Sequence, residues 1–141
     1  GLAYQLGIRG YRPKYPGVPD LEELAKEFSN DWFMKYRGVR ADKAWIESVL
    51  RPYLELADKG KPTHCSEFGV FSKMVDRETA LNWYRDVLSI LKEHGIGWAL
   101  WHLRGSFGII SNGRDDWMDG RTPWGEPLDT GLLNLLLEFM R

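Results

Sequence analysis

Apolar and polar residues alternate strictly from residue 2 to residue 9. Leu2, Tyr4, Leu6 and Ile8 share one face; Ala3, Gln5, Gly7 and Arg9 share the other, which Tyr11 continues. Period two predicts a strand. Residues 12–40 have no such period and are broken by Pro13, Pro16, Gly17, Pro19 and Gly38. A short helical piece is expected near 21–28, where Asp20 can cap and Leu21, Leu24, Ala25 and Phe28 share a face. Loops this long in compact domains are usually functional. Over residues 42–58 the apolar groups Ile46, Val49, Leu50, Tyr53 and Ala57 recur at helix spacing, with a kink or restart expected at Pro52. Gly60 and Pro62 close that element.

The same reading predicts a short strand at 63–68 and a long helix from a cap at Asp76 to a stop at Gly95. The helix should bury Ala80, Tyr84, Val87, Leu88 and Leu91 and turn Glu78, Asn82, Arg85, Ser89 and Lys92 to solvent. A third strand spans 96–101, with Ile96, Trp98 and Leu100 on one face and Gly97, Ala99 and Trp101 on the other. A loop rich in Gly, Asp and Trp covers 104–128, and a helix that is apolar on most sides follows near 130–140.

The order is strand, helix, three times over, and helix-length connections imply parallel strands. Bulky groups on one face suit a helix layer. Small or polar groups on the other suit the inside of a closed barrel better than an open sheet, which is usually apolar on both faces. A complete (β/α)8 TIM barrel needs roughly 250 residues. The fold class expected is therefore α/β: about three strand–helix units, the C-terminal part of a barrel. The whole of 1–141 is then one partial domain, its N-terminal barrel strands supplied by another chain or segment.

Composition narrows the chemistry. The chain has 141 residues, a formal net charge of -1, one Cys and seven Trp. The near-neutral charge and the lack of a basic stripe argue against nucleic acid as a partner. No apolar run reaches the ~18 residues of a membrane span, and one cysteine cannot form an internal disulfide. No Gly-rich phosphate loop follows any strand, and no metal-ligand spacing appears, so no cofactor is implied. The chain opens on Gly1 rather than Met, so the missing leader carries no weight and localisation stays unknown. The Trp surplus suits a surface for flat ligands, though most of the seven are expected in the core.

In a barrel the site lies at the C-terminal ends of the strands. Tyr11, Glu67 and Trp101 all fall there, and by alternation all point inward. A carboxylate beside an aromatic plate is suited to holding and attacking a sugar ring, but glycosidic cleavage usually needs two carboxylates. Among the remaining residues, His64 should point away from the interior and Cys65 should share the face of Glu67. His102, on the face opposite Trp101, suits packing, with substrate contact as the alternative. His94 sits at a helix end, where the dipole favours a cation. Arg104 is placed to reach a sugar hydroxyl. Asp115 and Asp116 suit a solvated loop, and Trp117 and Trp124 suit either a distal subsite or loop packing.

The segment His64-Cys65-Ser66-Glu67-Phe68-Gly69 resembles the nucleophile strand of the family 5 glycoside hydrolases, the cellulase family of clan A. Residues 86–110 (DVLSILKEHGIGWALWHLRGSFGII) resemble that family's last helix and strand. Arg9-Gly10-Tyr11-Arg12-Pro13 resembles its sixth-strand motif, usually His-x-Tyr-x-Pro, and residues 124–129 with the Leu-rich tail look like its closing helix. The resemblance covers nearly the whole chain. It implies that Glu67 is the nucleophile of a retaining mechanism, that Tyr11 hydrogen-bonds it, and that Trp101 stacks under the sugar. Arg9 replaces the family's His, where a guanidinium would lower the pKa of the nucleophile or form a structural ion pair. The family's acid/base Glu follows an Asn, and no Asn-Glu pair occurs in this chain. The function expected is a retaining, endoglucanase-like glycosidase acting on β-linked glucan or mannan. This chain would supply the nucleophile half of the site and be inactive without the other. The alternatives are a non-catalytic carbohydrate-binding half-barrel and a fragment that pairs with a complementary half.

Overall fold

The computed structural model describes residues 12–22, 26 and 35–140. The strand expected at 2–8, with Arg9 and Tyr11 beyond it, lies outside the described residues, as does most of the helical piece at 21–28. Helix α1 spans Lys43–Asp58, strand β1 His64–Phe68, helix α2 Arg77–Glu93 and strand β2 Gly97–Leu100. A hairpin of β3 (Gly120–Arg121) and β4 (Pro127–Leu128) leads into helix α3, Thr130–Phe139. Strands β1 and β2 are parallel neighbours joined through α2, as a helix-length connection requires.

Helix α2 is the centre of the core. Asp76 caps it by accepting from the Thr79 N–H at 2.8 Å. Gly95, at φ +62°, takes the left-handed turn that ends it. Its stripe of Ala80, Tyr84, Val87, Leu88 and Leu91 is buried as the period predicts, and Ile90 is buried with it. Complete burial of one such side chain adds about 1.5–3 kcal/mol. Helix α3 packs Leu132, Leu135 and Leu136 into the same core, and its cap, Asp129, is itself buried.

Helix α1 runs through Pro52 without a restart. Its apolar stripe is only partly covered. Ile46 and Leu54 are buried, whereas Val49 and Tyr53 are exposed. These two line a groove of about 530 Å³ bounded by β1 and by Trp83, Val87 and Leu91 of α2. Helical period identifies a face but not whether anything lies against it.

The segment at 12–20 is fastened to this framework by side chains. The buried Tyr15 donates to Asp86 of α2 at 2.6 Å. Lys14 pairs with Asp76, and Gly17 and Ala41 exchange backbone hydrogen bonds of 2.9 and 2.8 Å. The region read as a plain loop at 104–128 holds the β3–β4 hairpin. Two-residue strands are too short to show a period.

Candidate active site

Strand β2 behaves as its alternation predicts. Ile96 is buried and Trp98 and Leu100 pack against the core, while Gly97, Ala99 and Trp101 are exposed. Strand β1 does not. Cα pairing runs His64 to Gly97 and Cys65 to Trp98, then jumps to Phe68 and Leu100. Three steps on β1 thus face two on β2, a β-bulge. Cys65 packs against the core and Phe68 is part of it, although an odd spacing separates them. The extra residue leaves Ser66 and Glu67 both exposed.

The bulge corrects two expectations. Cys65 does not share the face of Glu67. It turns to the core, burial raises the pKa of its thiol, and its Sγ donates to the Glu67 carbonyl at 3.7 Å. His64 does not point to the helices. It is exposed and lies over Gly97, where an added Cβ would come within 2.8 Å of its Nδ1. Strict alternation fails because the strand is one residue longer than its partner.

Glu67 and Trp101 are brought together at the ends of the paired strands. The Trp101 N–H donates to the Phe68 carbonyl at 2.8 Å, one residue beyond Glu67. Trp101 is 50% exposed and rests against His102, with ring centroids 5.7 Å apart. His102 in turn meets Phe107 at 6.0 Å. Its ring is half-buried, and its buried Nε2 has no hydrogen-bond partner among the described residues.

Two residues read from sequence only as a core aromatic and a flanking glycine hold this geometry. The phenol oxygen of buried Tyr84 accepts from the Val70 N–H at 2.8 Å, just past Glu67. The Tyr84 hydroxyl also approaches the Phe107 carbonyl at 3.5 Å, and burial raises its pKa. One hydroxyl thus links the exit of β1 to the loop beneath Trp101. At Gly69 an added Cβ would lie 2.4 Å from the Trp101 carbonyl oxygen, so only glycine permits this approach. A Gly directly after Glu-Phe was the available signal for close backbone contact.

Phe68 anchors the end of β1. Its ring meets Trp98 at 5.6 Å, Tyr84 at 5.9 Å and Trp83 at 6.3 Å. Such contacts add about 0.5–1.5 kcal/mol each beyond burial.

The remaining candidates sort by their contacts. Arg104 pairs with Glu126 of the hairpin turn. Asp116 pairs with Arg114 at 2.7 Å, and Arg114 lies over the buried Trp117 ring at 4.8 Å. His94 Nδ1 is 2.6 Å from Asp58. Tyr11 and Arg9 lie outside the described residues. Among those described, no group of three or more His, Cys, Asp or Glu is arranged to hold a metal ion. No described helix is long and apolar enough to cross a membrane.

No family model matches the chain. It is 32% identical over 104 residues to Endoglucanase C of Acetivibrio thermocellus and to Endoglucanase C307 of Clostridium sp. (strain F1). Those alignments cover 73% of this chain and 29% of each relative, so the chain spans under a third of their length. A crystal structure of a glycoside hydrolase aligns with a TM-score of 0.69 at 30% identity, over 92% of this chain and 34% of that one. An endoglucanase structure aligns with a TM-score of 0.52 at 22% identity, over 67% of this chain and 27% of that one, and bears on the fold alone.

The class is thus a mixed helix–strand protein whose structural neighbours are glycoside hydrolases of the TIM-barrel type. The relatives at 32% identity and the solved structure at 30% support a cellulase-type family of glycoside hydrolases, the kind of family that the residues around Glu67 and Trp101 resemble.

Proposed function

We propose that this chain forms the C-terminal strand–helix units of a (β/α)8 glycosidase and carries the nucleophile half of its active site. The substrate class is a β-linked polysaccharide, a glucan or a related mannan. The observation that carries this reading is the placement of Glu67 beside Trp101, exposed at the ends of two parallel, hydrogen-bonded strands. The endoglucanase names of the curated relatives support it.

In this reading Glu67 attacks the anomeric carbon as a carboxylate while the aglycone oxygen leaves with a proton from a second carboxylic acid. Water then releases the sugar from Glu67 with retained configuration. The second carboxylate stands ~5–5.5 Å from the first in a retaining enzyme. The family's Asn-Glu pair does not occur in this sequence, so the acid belongs to another part of the barrel. Trp101 offers the apolar ring face on which a sugar stacks. Tyr11 would hydrogen-bond Glu67, and Arg9 and Arg104 would contact substrate. Arg104 would do so as one partner of an ion pair with Glu126.

The test is kcat/KM for aryl β-glycosides with Glu67→Gln in the full-length protein. A loss of at least ~10³-fold, about 4 kcal/mol of transition-state stabilisation, is expected. Full activity would overturn the assignment. The lone carboxylate favours a second reading, a non-catalytic carbohydrate-binding half-barrel. Binding of β-glucan with no turnover by the full-length protein would select it. A fragment that pairs with a complementary half would instead show a stable heterodimer in solution.

A further inference from the structure

We propose that Arg114 is a positioning residue of the active site: it clamps the segment leaving Glu67 to the segment leaving Trp101 and so holds those two groups in register. This rests on the glycosidase reading and adds to it a residue that acts through the backbone.

Glu67 and Trp101 stand at the ends of two paired strands, but each is followed by a long irregular excursion. Residues 69–76 lead from β1 to α2, and residues 101–119 lead from β2 to the hairpin. Segments of this kind are ordinarily the loosest parts of a fold. Here one guanidinium joins them. Arg114 Nη1 donates to the carbonyls of Ser72 and Val75 at 2.9 and 2.7 Å. Its Nε and Nη2 donate to the two carboxylate oxygens of Asp116 at 2.8 and 2.7 Å. Four of its five N–H groups are thereby engaged, and the group also lies over the buried Trp117 ring. A planar fork with so many partners has one geometry. A lysine ammonium is a point charge and cannot reproduce it.

Buried polar groups complete the joint. Ser72 and Asn112 are each 2% exposed. Ser72 Oγ donates to the Asn112 carbonyl at 2.9 Å, and the Arg114 N–H donates to Asn112 Oδ1 at 3.0 Å. The Ser72 N–H donates to the Ser106 carbonyl at 2.8 Å. Buried groups that find their partners across two loops fix those loops relative to each other. Each loop then leads back to the site with little slack. On one side Tyr84 holds Val70, and Gly69 lies against the Trp101 carbonyl. On the other, the Ile109 and Ile110 N–H groups both donate to the Leu103 carbonyl at 3.1 Å, folding the segment back onto the residues after Trp101.

The experiment measures kcat and KM for aryl β-glycosides in the full-length protein, at a temperature where circular dichroism shows parent and variants fully folded. Arg114→Ala should lower kcat by roughly 10- to 10²-fold, the cost of slightly misplaced reacting groups, with KM within about threefold. Guanidinium ion at millimolar concentration should restore part of that kcat and leave the parent unchanged. Arg114→Lys should lose nearly as much as Arg114→Ala, since it keeps the charge without the fork. Asp116→Ala should lose less than about threefold, because its carboxylate is mostly exposed and the two carbonyl bonds remain. A folded Arg114→Ala with kcat within twofold of the parent, whatever its melting temperature, would make Arg114 a stabilising residue only. A loss confined to KM would place it in substrate binding. Either result overturns the proposal while leaving the glycosidase reading in place. Should Arg114→Ala not fold, Arg114→Lys decides by the same criteria. A parent that turns over no glycoside, or a Glu67→Gln variant as active as the parent, would overturn both together.

Discussion

A methyl group at position 69 would lie 2.4 Å from the Trp101 carbonyl oxygen, closer than backbone atoms tolerate. Gly69→Ala must push the ends of β1 and β2 apart, and with them Glu67 and Trp101. Misplacement of reacting groups by ~1 Å costs on the order of 10²-fold. Gly69→Ala in the full-length protein is therefore expected to lower kcat by about that factor; kinetics within twofold of the parent would contradict the close approach. Tyr84→Phe removes the acceptor of the Val70 N–H and leaves a donor unpaired. A destabilisation of about 1–3 kcal/mol is expected by denaturant titration, with a larger proportional loss in kcat than in 1/KM. Neither role follows from periodicity, which reads Tyr84 as a core residue and gives Gly69 no role. Glu67 and Trp101 were legible because each ends a strand and each lies in a segment resembling a known motif. The facing of Cys65 and His64 was not, because a bulge depends on the register of two strands and a single strand's pattern does not contain it.

At the scale of elements, the bounds of α2 and most of its buried face were readable, whereas the burial of Thr79 and Ile90 was not. Its cap, stop and buried stripe each rest on local chemistry: an Asp that accepts from Thr79, a left-handed Gly, and a period of 3.6. The hairpin and the approach to α3 were not readable, because they are held by side chains distant in sequence. Arg77 reaches Asp129 at 2.5 Å and Asp119 at 2.8 Å, and Asp119 also accepts from the Thr130 N–H and hydroxyl at 2.9 and 2.7 Å. Arg77 thus joins α2 to the cap of α3 and to Asp119, the residue that precedes β3. Arg77→Ala leaves Asp129, 1% exposed, without its cation, and is expected to destabilise by about 3 kcal/mol. The Thr130 hydrogen bonds, then Arg77, hold the Asp119 carboxyl well below the usual carboxylate range. A folded pKa below the unfolded value contributes stability that is complete above the ordinary Asp pKa of about 3.9 and is lost as pH falls below it. Asp119→Asn should flatten the acid limb of a melting-temperature profile between about pH 4 and pH 2. An acid limb identical to the parent's would remove Asp119 from the linkage.

At the scale of the molecule, β1 and β2 form, among the described residues, a two-stranded parallel sheet over one helix-packed core, with α1 leaving Val49 and Tyr53 uncovered beside it. Three strand–helix units were expected. The second and third are realised in the described residues, while the strand at 2–8, with Arg9 and Tyr11, lies outside them. The covered and open sides of β2 were legible from the alternation of large and small residues. Glu67 is proposed to form the covalent bond to the sugar. The most direct measurement incubates the full-length protein with a 2-deoxy-2-fluoro-β-glycosyl fluoride, which slows release of the glycosyl-enzyme, and locates the adduct by peptide mass spectrometry. The predicted result is one adduct per protein, on the peptide carrying Glu67, and none in Glu67→Gln. An adduct on a different carboxylate in a catalytically active protein would show that Glu67 is not the nucleophile.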